Sequence, residues 1–184
     1  MTSFEAPVQI VPYDAAWPAR FDEEAAILHR MLAPWLVGPI EHIGSTAVPG
    51  LAAKPVIDMM AGVQALEASR PAIAVATDLG YCYSPYQADL EHWFCKPSVA
   101  HRTHHLHLIP FCSPQWVQAI AFRDYLRRHP ETARDYAALK QHIARQHHFD
   151  REASTGAKRP FIDRITAMAL RATRGPVDEG SSSD

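Results

Sequence analysis

Glycine is scarce, with 8 residues in 184, and cysteine scarcer still, with 3. Cys82, Cys95 and Cys112 are odd in number and match neither a C-x-x-C pair nor the framework of a small secreted domain, so all three read as reduced, mostly packed thiols. No run approaches the ~18 apolar residues that span a bilayer. The opening MTSFEAPVQIVPYD lacks the basic and apolar regions of a secretory signal, so the chain reads as cytoplasmic, with no membrane partner. Charge of one sign is missing as well: 18 basic against 20 acidic residues give a net charge of −2, which supplies no field for recruiting nucleic acid. Phosphate-binding and hydrolase signatures are also absent: no G-x-x-x-x-G-K-[ST], G-x-G-x-x-G, G-x-S-x-G or H-E-x-x-H occurs, which argues against P-loop kinases, Rossmann enzymes, α/β-hydrolases and zincins.

What remains is an ordinary globular composition, 47% hydrophobic and 21% charged, with an excess of proline at 15 and histidine at 11. The length suits one domain over residues 1–174, made of a sheet-bearing part at about 8–112 and a helical part at about 113–174, with a disordered tail at 175–184. After a short extended piece, VQIVPYD, the residues Phe21, Ala25, Leu28 and Leu32 fall at helical spacing, with Asp22, Glu23 and Glu24 suited to the positive end of the helix dipole. IEHIG reads as a strand running into a Gly-Ser turn, and KPVIDMMAGV as a buried strand. Gln64 to Leu79 reads as helical, with Pro71 as its true start or a break and Gly80 as a C-cap. YCYS, EHWFCKP and HHLHLIPF read as strands, separated by a loop from Pro97 to Thr103. From Ser113-Pro114 onward three helices are expected, starting at Pro114, at Pro130 and near Phe161. The fold class is therefore α+β: a small mixed sheet flanked by helices, with a helical C-terminal part.

Three groups of residues suggest chemistry. Twelve residues separate Gly44-Ser45 from Asp58: glycine lets backbone approach a phosphate, serine adds a hydroxyl, and a carboxylate on the next strand can hold the divalent cation that phosphates bring. The same pattern also suits an ordinary turn. His105 and His107 alternate with Leu106 and Leu108, so their imidazoles share one strand face; with Asp58 they form a mixed nitrogen and oxygen metal site, and otherwise they are hydrogen-bonded at a wet surface. His101 and His104 read as solvated loop residues. Lys54, Arg123, Lys140 and Lys158 can line a cleft for a phosphorylated ligand, as can Arg102, and Trp93 can stack beside it.

The runs IEHIGSTAVPGLAAKPVIDMMAGV, VPYDAAWPARFDEEAA, RTHHLHL, AFRDYLRRHPETARDYAALK and KRPFI together resemble the GrpB family, also called UPF0157, from about Val11 to Leu170. The resemblance implies a minimal nucleotidyltransferase-like fold, a domain found at times fused to a dephospho-coenzyme A kinase. It implies a Gly44-Ser45 turn that holds a triphosphate and Asp58 as the first metal carboxylate. Met60 stands where the second carboxylate of that superfamily belongs, and the third falls near His105 and His107 or at Glu91. The expected function is nucleotidyl transfer from a nucleoside triphosphate to an acceptor, with Asp58 and His107 as catalytic residues. Gly44, Ser45, Lys54, Arg123, Lys140 and Lys158 are expected on the phosphates, and Asp58, His105 and His107 on Mg²⁺ or Mn²⁺, with Zn²⁺ as an option. The alternatives are binding of a nucleotide or coenzyme A-like ligand without turnover, and a histidine-metal hydrolase. The partner is then a nucleotide or phosphorylated small molecule; the oligomeric state stays open.

Overall fold

A computed structural model describes residues 9–85, 87–146 and 151–173; the expected tail at 175–184 lies outside them. The described helices are α1 (Trp17–Leu32), α2 (Pro71–Asp78), α3 (Pro114–Arg128), α4 (Pro130–Gln146) and α5 (Arg151–Thr173). The strands are β1 (Leu36–Ile43), β2 (Ile57–Val63), β3 (Cys82–Ser84), β4 (His92–Pro97) and β5 (Arg102–Pro110), in one sheet of order β1-β2-β5-β4-β3. β2 and β5 run parallel and every other pair antiparallel, so the sheet is mixed, as expected. None of the described helices is long and apolar enough to cross a membrane.

Alternation along the strands separates packing from chemistry. Met59, Ala61 and Val63 of β2, Phe94 of β4 and Leu106 and Leu108 of β5 join Leu28 and Leu32 of α1 and Ala72 and Ala76 of α2 in one buried cluster. Their neighbours Asp58, Met60, His105, His107 and Ile109 face the other way. There Met60 and Ile109 pack on Trp116 of α3, while Asp58 and the histidines are left for the site. A separate cluster of Val48, Leu51, Leu126, Tyr136 and Ile165 binds the loop after β1 to α3, α4 and α5.

Several local expectations are corrected. β1 starts at Leu36 and carries Gly38-Pro39 through an irregularity between Leu36 and Ile40, so the strand is longer than IEHIG. The helix expected over 64–79 is confined to Pro71–Asp78, with proline at its first turn and Gly80 at φ +87° behind it. Among the described residues, the extended lead-in contributes one bridge, Val11 to Ala53. β5 takes in Arg102, Thr103 and His104, so His104 is a half-buried strand residue bonded through Nδ1 to Thr103. α5 runs straight through Pro160, ten residues earlier than expected at its start. The backbone bond lost there is offset by tertiary packing, since Phe161 stacks on Tyr136 of α4 at 5.2 Å and Ile165 is buried. Glu24 is not a solvated dipole partner but a buried residue, accepting from the Tyr81 hydroxyl and the Lys96 ammonium, each at 2.8 Å. The cysteines are free as expected, though Cys112 is exposed.

Candidate functional site

The floor of the site is two adjacent rows across the sheet. Backbone register sets Ile43, Asp58, His105, Cys95 and Cys82 abreast, and beside them Met60, His107, Trp93 and Ser84. Asp58 Oδ1 lies 2.7 Å from His105 Nδ1, and His107 Nδ1 lies 2.5 Å from Glu91 Oε2. The two imidazole centroids are 6.5 Å apart, and the Trp93 ring is 5.2 Å from His105. One ligand atom from each of Asp58, His105 and His107 falls within 4.8 Å of the others, a cluster able to hold a metal ion. His105 Nε2 is buried and has no hydrogen-bond partner among the described residues.

Gly44 closes β1 with φ +71° and ψ −169°, a region reserved for glycine, and a Cβ there would overlap Asp58 Oδ2. The short 3₁₀ turn Ser45–Ala47 follows, pinned from beneath by Thr46. Its hydroxyl donates to the Val56 carbonyl at 3.1 Å and so accepts from His42 Nε2 at 2.9 Å, which assigns the Nε2–H tautomer. His42 stacks on Phe21 at 4.7 Å, and burial, helped by Arg127 and Arg123 against Asp58, pushes its pKa down to about 4.

Over this floor a cavity of about 260 Å³ is walled by Ser45 and Thr46 of the turn, Asp58 and His105 of the sheet, and the cations Lys54, Arg102, Lys140 and Lys158. The helices contribute at regular spacing: Tyr136 and Lys140 are one turn apart on α4, and Ser154, Thr155 and Lys158 share a face of α5. Lys140 Nζ donates to the Ala52 carbonyl at 2.6 Å and sits 4.9 Å over the Tyr136 ring, whose hydroxyl lies beside Ser45. Burial and the neighbouring Lys158 push the Lys140 ammonium down to about 7, with Asp58 opposing them. Burial lowers Lys158 too. Burial alone would raise Asp58, but the hydrogen bond from His105 and the potential of His105, His107 and His42 hold its carboxyl below the usual range. His107 is raised, since Glu91 and Asp58 outweigh the effect of its burial.

Of the residues singled out in the sequence, Ser45, Lys54, Asp58, His105, Lys140 and Lys158 meet at this cavity, while Gly44 backs Asp58 and His107 stands beside it in the metal-capable cluster. Arg123 does not line it. Its guanidinium donates to Glu41 at 2.6 Å, to Asp124 at 2.8 Å and to the His42 carbonyl at 3.0 Å, and is used up in fastening α3 to β1. Arg102 stacks over Trp93 at 5.2 Å. Tyr136, which the sequence marks only as part of the helix starting at Pro130, lines the cavity too; its spacing from Lys140 is the signal that both reach it.

The GrpB protein family model matches residues 7–168. A UPF0157 protein of Pseudomonas aeruginosa is 39% identical over 174 residues, which cover 92% of this chain and 71% of that protein. Glutamate-rich protein GrpB of Alkalihalophilus pseudofirmus is 31% identical over 163 residues, 86% of this chain and 93% of that one. The crystal structure of conserved protein GrpB from Enterococcus faecalis superposes with a TM-score of 0.81 at 33% identity, covering 90% of this chain and 99% of that chain. The match spans β1 to α5 and thus the turn, the sheet rows and the lysine-bearing helices alike: the chain belongs to the GrpB family.

Proposed function

We propose that the chain binds the phosphates of a nucleoside triphosphate in this cavity together with a divalent cation, and transfers the nucleotidyl group to an acceptor. One observation carries the reading: the Gly44-Ser45 turn, the Asp58–His105 pair and four cationic side chains surround a single volume. Lys140 and Lys158 face each other across the cavity, and burial disfavours both ammoniums, so a polyanion bound between them stabilises their charged forms. A volume of about 260 Å³ lies just under the ~300 Å³ at which pockets for whole ligands begin, so it suits a phosphate chain with the nucleoside projecting outward.

Asp58, His105 and His107 fit a cation by their chemistry, one oxygen and two nitrogen donors close together. A bound cation supplies charge neutralisation on the phosphates. Ser45 and the lysines orient the chain of phosphates, and Gly44 allows the backbone to approach it. In the transfer an acceptor oxygen bonds to the α-phosphorus, the bond from that phosphorus to the bridging oxygen breaks, pyrophosphate departs against the lysines, and the acceptor proton passes to water.

Met60 favours a second reading, binding without turnover. It is 1% exposed and packed on Ile109 and Trp116 at the place of the second carboxylate, so a second cation lacks its ligand. Calorimetry with nucleoside triphosphates and coenzyme A precursors, with and without Mg²⁺, Mn²⁺ or Zn²⁺, tests the shared claim. Cation-dependent binding lost in Asp58→Asn is expected, and no binding by any of them overturns both readings. Pyrophosphate release in the presence of candidate acceptors separates the two.

A further inference from the structure

The donor set of the cluster and the carboxylates behind it bear on which ion belongs there. Both imidazoles are held from the Nδ1 side by a carboxylate, His105 by Asp58 at 2.7 Å and His107 by Glu91 at 2.5 Å. A carboxylate that accepts Nδ1–H fixes the neutral ring in the tautomer whose lone pair sits on Nε2, the arrangement that orients histidine toward a metal. That arrangement applies to His107, whose Glu91 stands outside the cluster; Asp58 and His105 both belong to it, so their 2.7 Å contact is close to the spacing of two ligands around one ion, and a bound ion would take the place of the proton they share. Oxygen donors are few. Asp58 belongs to the cluster, Glu91 is committed to His107, and the position abreast of His107 on β2 is the buried thioether of Met60. Mg²⁺ demands six oxygens in near-octahedral array, whereas imidazole nitrogen with one carboxylate suits zinc.

We propose that the cluster of Asp58, His105 and His107 is a single-ion site for a zinc-class transition metal rather than Mg²⁺, and that Glu91 is the positioning residue that presents His107 to it. The inference deepens the proposed cation site and rests on it, but it does not depend on nucleotide chemistry. Replacing an all-oxygen pair site by one nitrogen-rich site also gives Met60 a reason to be apolar. With no second ion to hold, that place is free to pack against α3.

The test uses the full chain, stripped with chelator and free of nucleotide. Co²⁺ is followed by its visible absorption, Zn²⁺ by competition with it, and Mg²⁺ is added at millimolar concentration as the contrast. One Co²⁺ per chain with the bands of a low-coordinate nitrogen and oxygen site, displaced by Zn²⁺ and untouched by Mg²⁺, is expected; His107→Ala abolishes them. Glu91→Gln, which keeps shape and removes the charge, weakens Co²⁺ binding 10- to 100-fold and shifts its bands, while Glu91→Asp restores part of the affinity. Circular dichroism and the melting temperature confirm that each variant is folded. Absence of Co²⁺ and Zn²⁺ binding by the folded wild-type chain overturns the ion assignment, and unchanged affinity in Glu91→Gln overturns the role of Glu91. Because nucleotide is left out, failure here is distinct from failure of the nucleotide reading, which calorimetry with Mg²⁺ addresses separately.

Discussion

Gly44 and Asp58 are in contact across the β1–β2 edge, so closely that a Cβ on Gly44 would overlap the Asp58 carboxylate. Backbone conformation adds to this, because φ +71° with ψ −169° is strained for any other residue by about 1–3 kcal/mol. Gly44→Ala is therefore expected to lower stability by that amount and also to displace Asp58, abolishing cation-dependent ligand binding. Gly50 is the control: its φ is +75°, yet nothing lies within 4 Å of a Cβ built there. Gly50→Ala should lose stability alone. Urea unfolding and calorimetry on the two variants check the contrast, and equal ligand affinity in both would mean that Asp58 is not positioned by this contact.

Lys140 couples stability and ligand binding to pH. Its folded pKa of about 7 lies below the ordinary lysine value, so between about 7 and that value the unfolded chain holds a proton the folded chain has released. Stability then rises with pH across this window, and below about 7 the penalty of a buried ammonium is fully present. Anion affinity runs the opposite way, falling as pH climbs from 7 to 9 and the charge is lost. Lys140→Met is expected to leave the apo protein as stable or more so at pH 7, to weaken triphosphate binding at least about tenfold, and to flatten the pH dependence. Calorimetric titrations at three pH values are the check.

Where the sequence was legible, it was through periodicity and punctuation. The alternation in His105-Leu106-His107-Leu108 placed two imidazoles on one face and the leucines in the core, and Ser113 does cap α3 by accepting from the Trp116 amide. The misreadings share one cause, contacts distant in sequence. Glu24 looked like a helix-dipole residue because Tyr81 and Lys96, 57 and 72 positions away, are invisible to local pattern. Arg123 looked available for phosphate because its partner Glu41 is 82 residues off. The last helix looked as if it began near Phe161 because the packing of Phe161 on Tyr136, which accompanies the passage of α5 through Pro160, is tertiary.

His42 predicts a loss of stability in mild acid. Its folded pKa of about 4 lies below the unfolded value of about 6.5, so as pH falls through 6.5 the unfolded chain takes up a proton that the folded chain refuses. The stability present above 6.5 declines down to about 4 and then levels off. The gap corresponds to about 3 kcal/mol. Urea unfolding between pH 7 and 4 should show this slope in the wild type, and His42→Gln should remove most of it. An unchanged slope in the variant would assign the acid sensitivity to another group such as His104, whose pKa burial also lowers, since the lowered pKa of Glu24 acts only as pH falls below the usual carboxylate value.

Met60 separates an apolar packing role from a vacated ligand position. Its side chain is 1% exposed against Ile109 and Trp116, in a site shaped for a straight apolar chain. Met60→Leu conserves volume, so it is expected to cost less than about 1.5 kcal/mol and to leave cation binding intact. Met60→Asp removes that packing, worth about 2–5 kcal/mol when a large core side chain is lost, and buries a carboxylate among apolar neighbours. His107, abreast of it on β5, is already bonded to Glu91, so the new carboxylate gains little there. The variant should therefore melt far below the wild type without acquiring Mg²⁺ affinity. A folded Met60→Asp protein that binds Mg²⁺ tightly would instead show that the two-cation arrangement is one substitution away, and that the apolar contact with α3 contributes little to the fold.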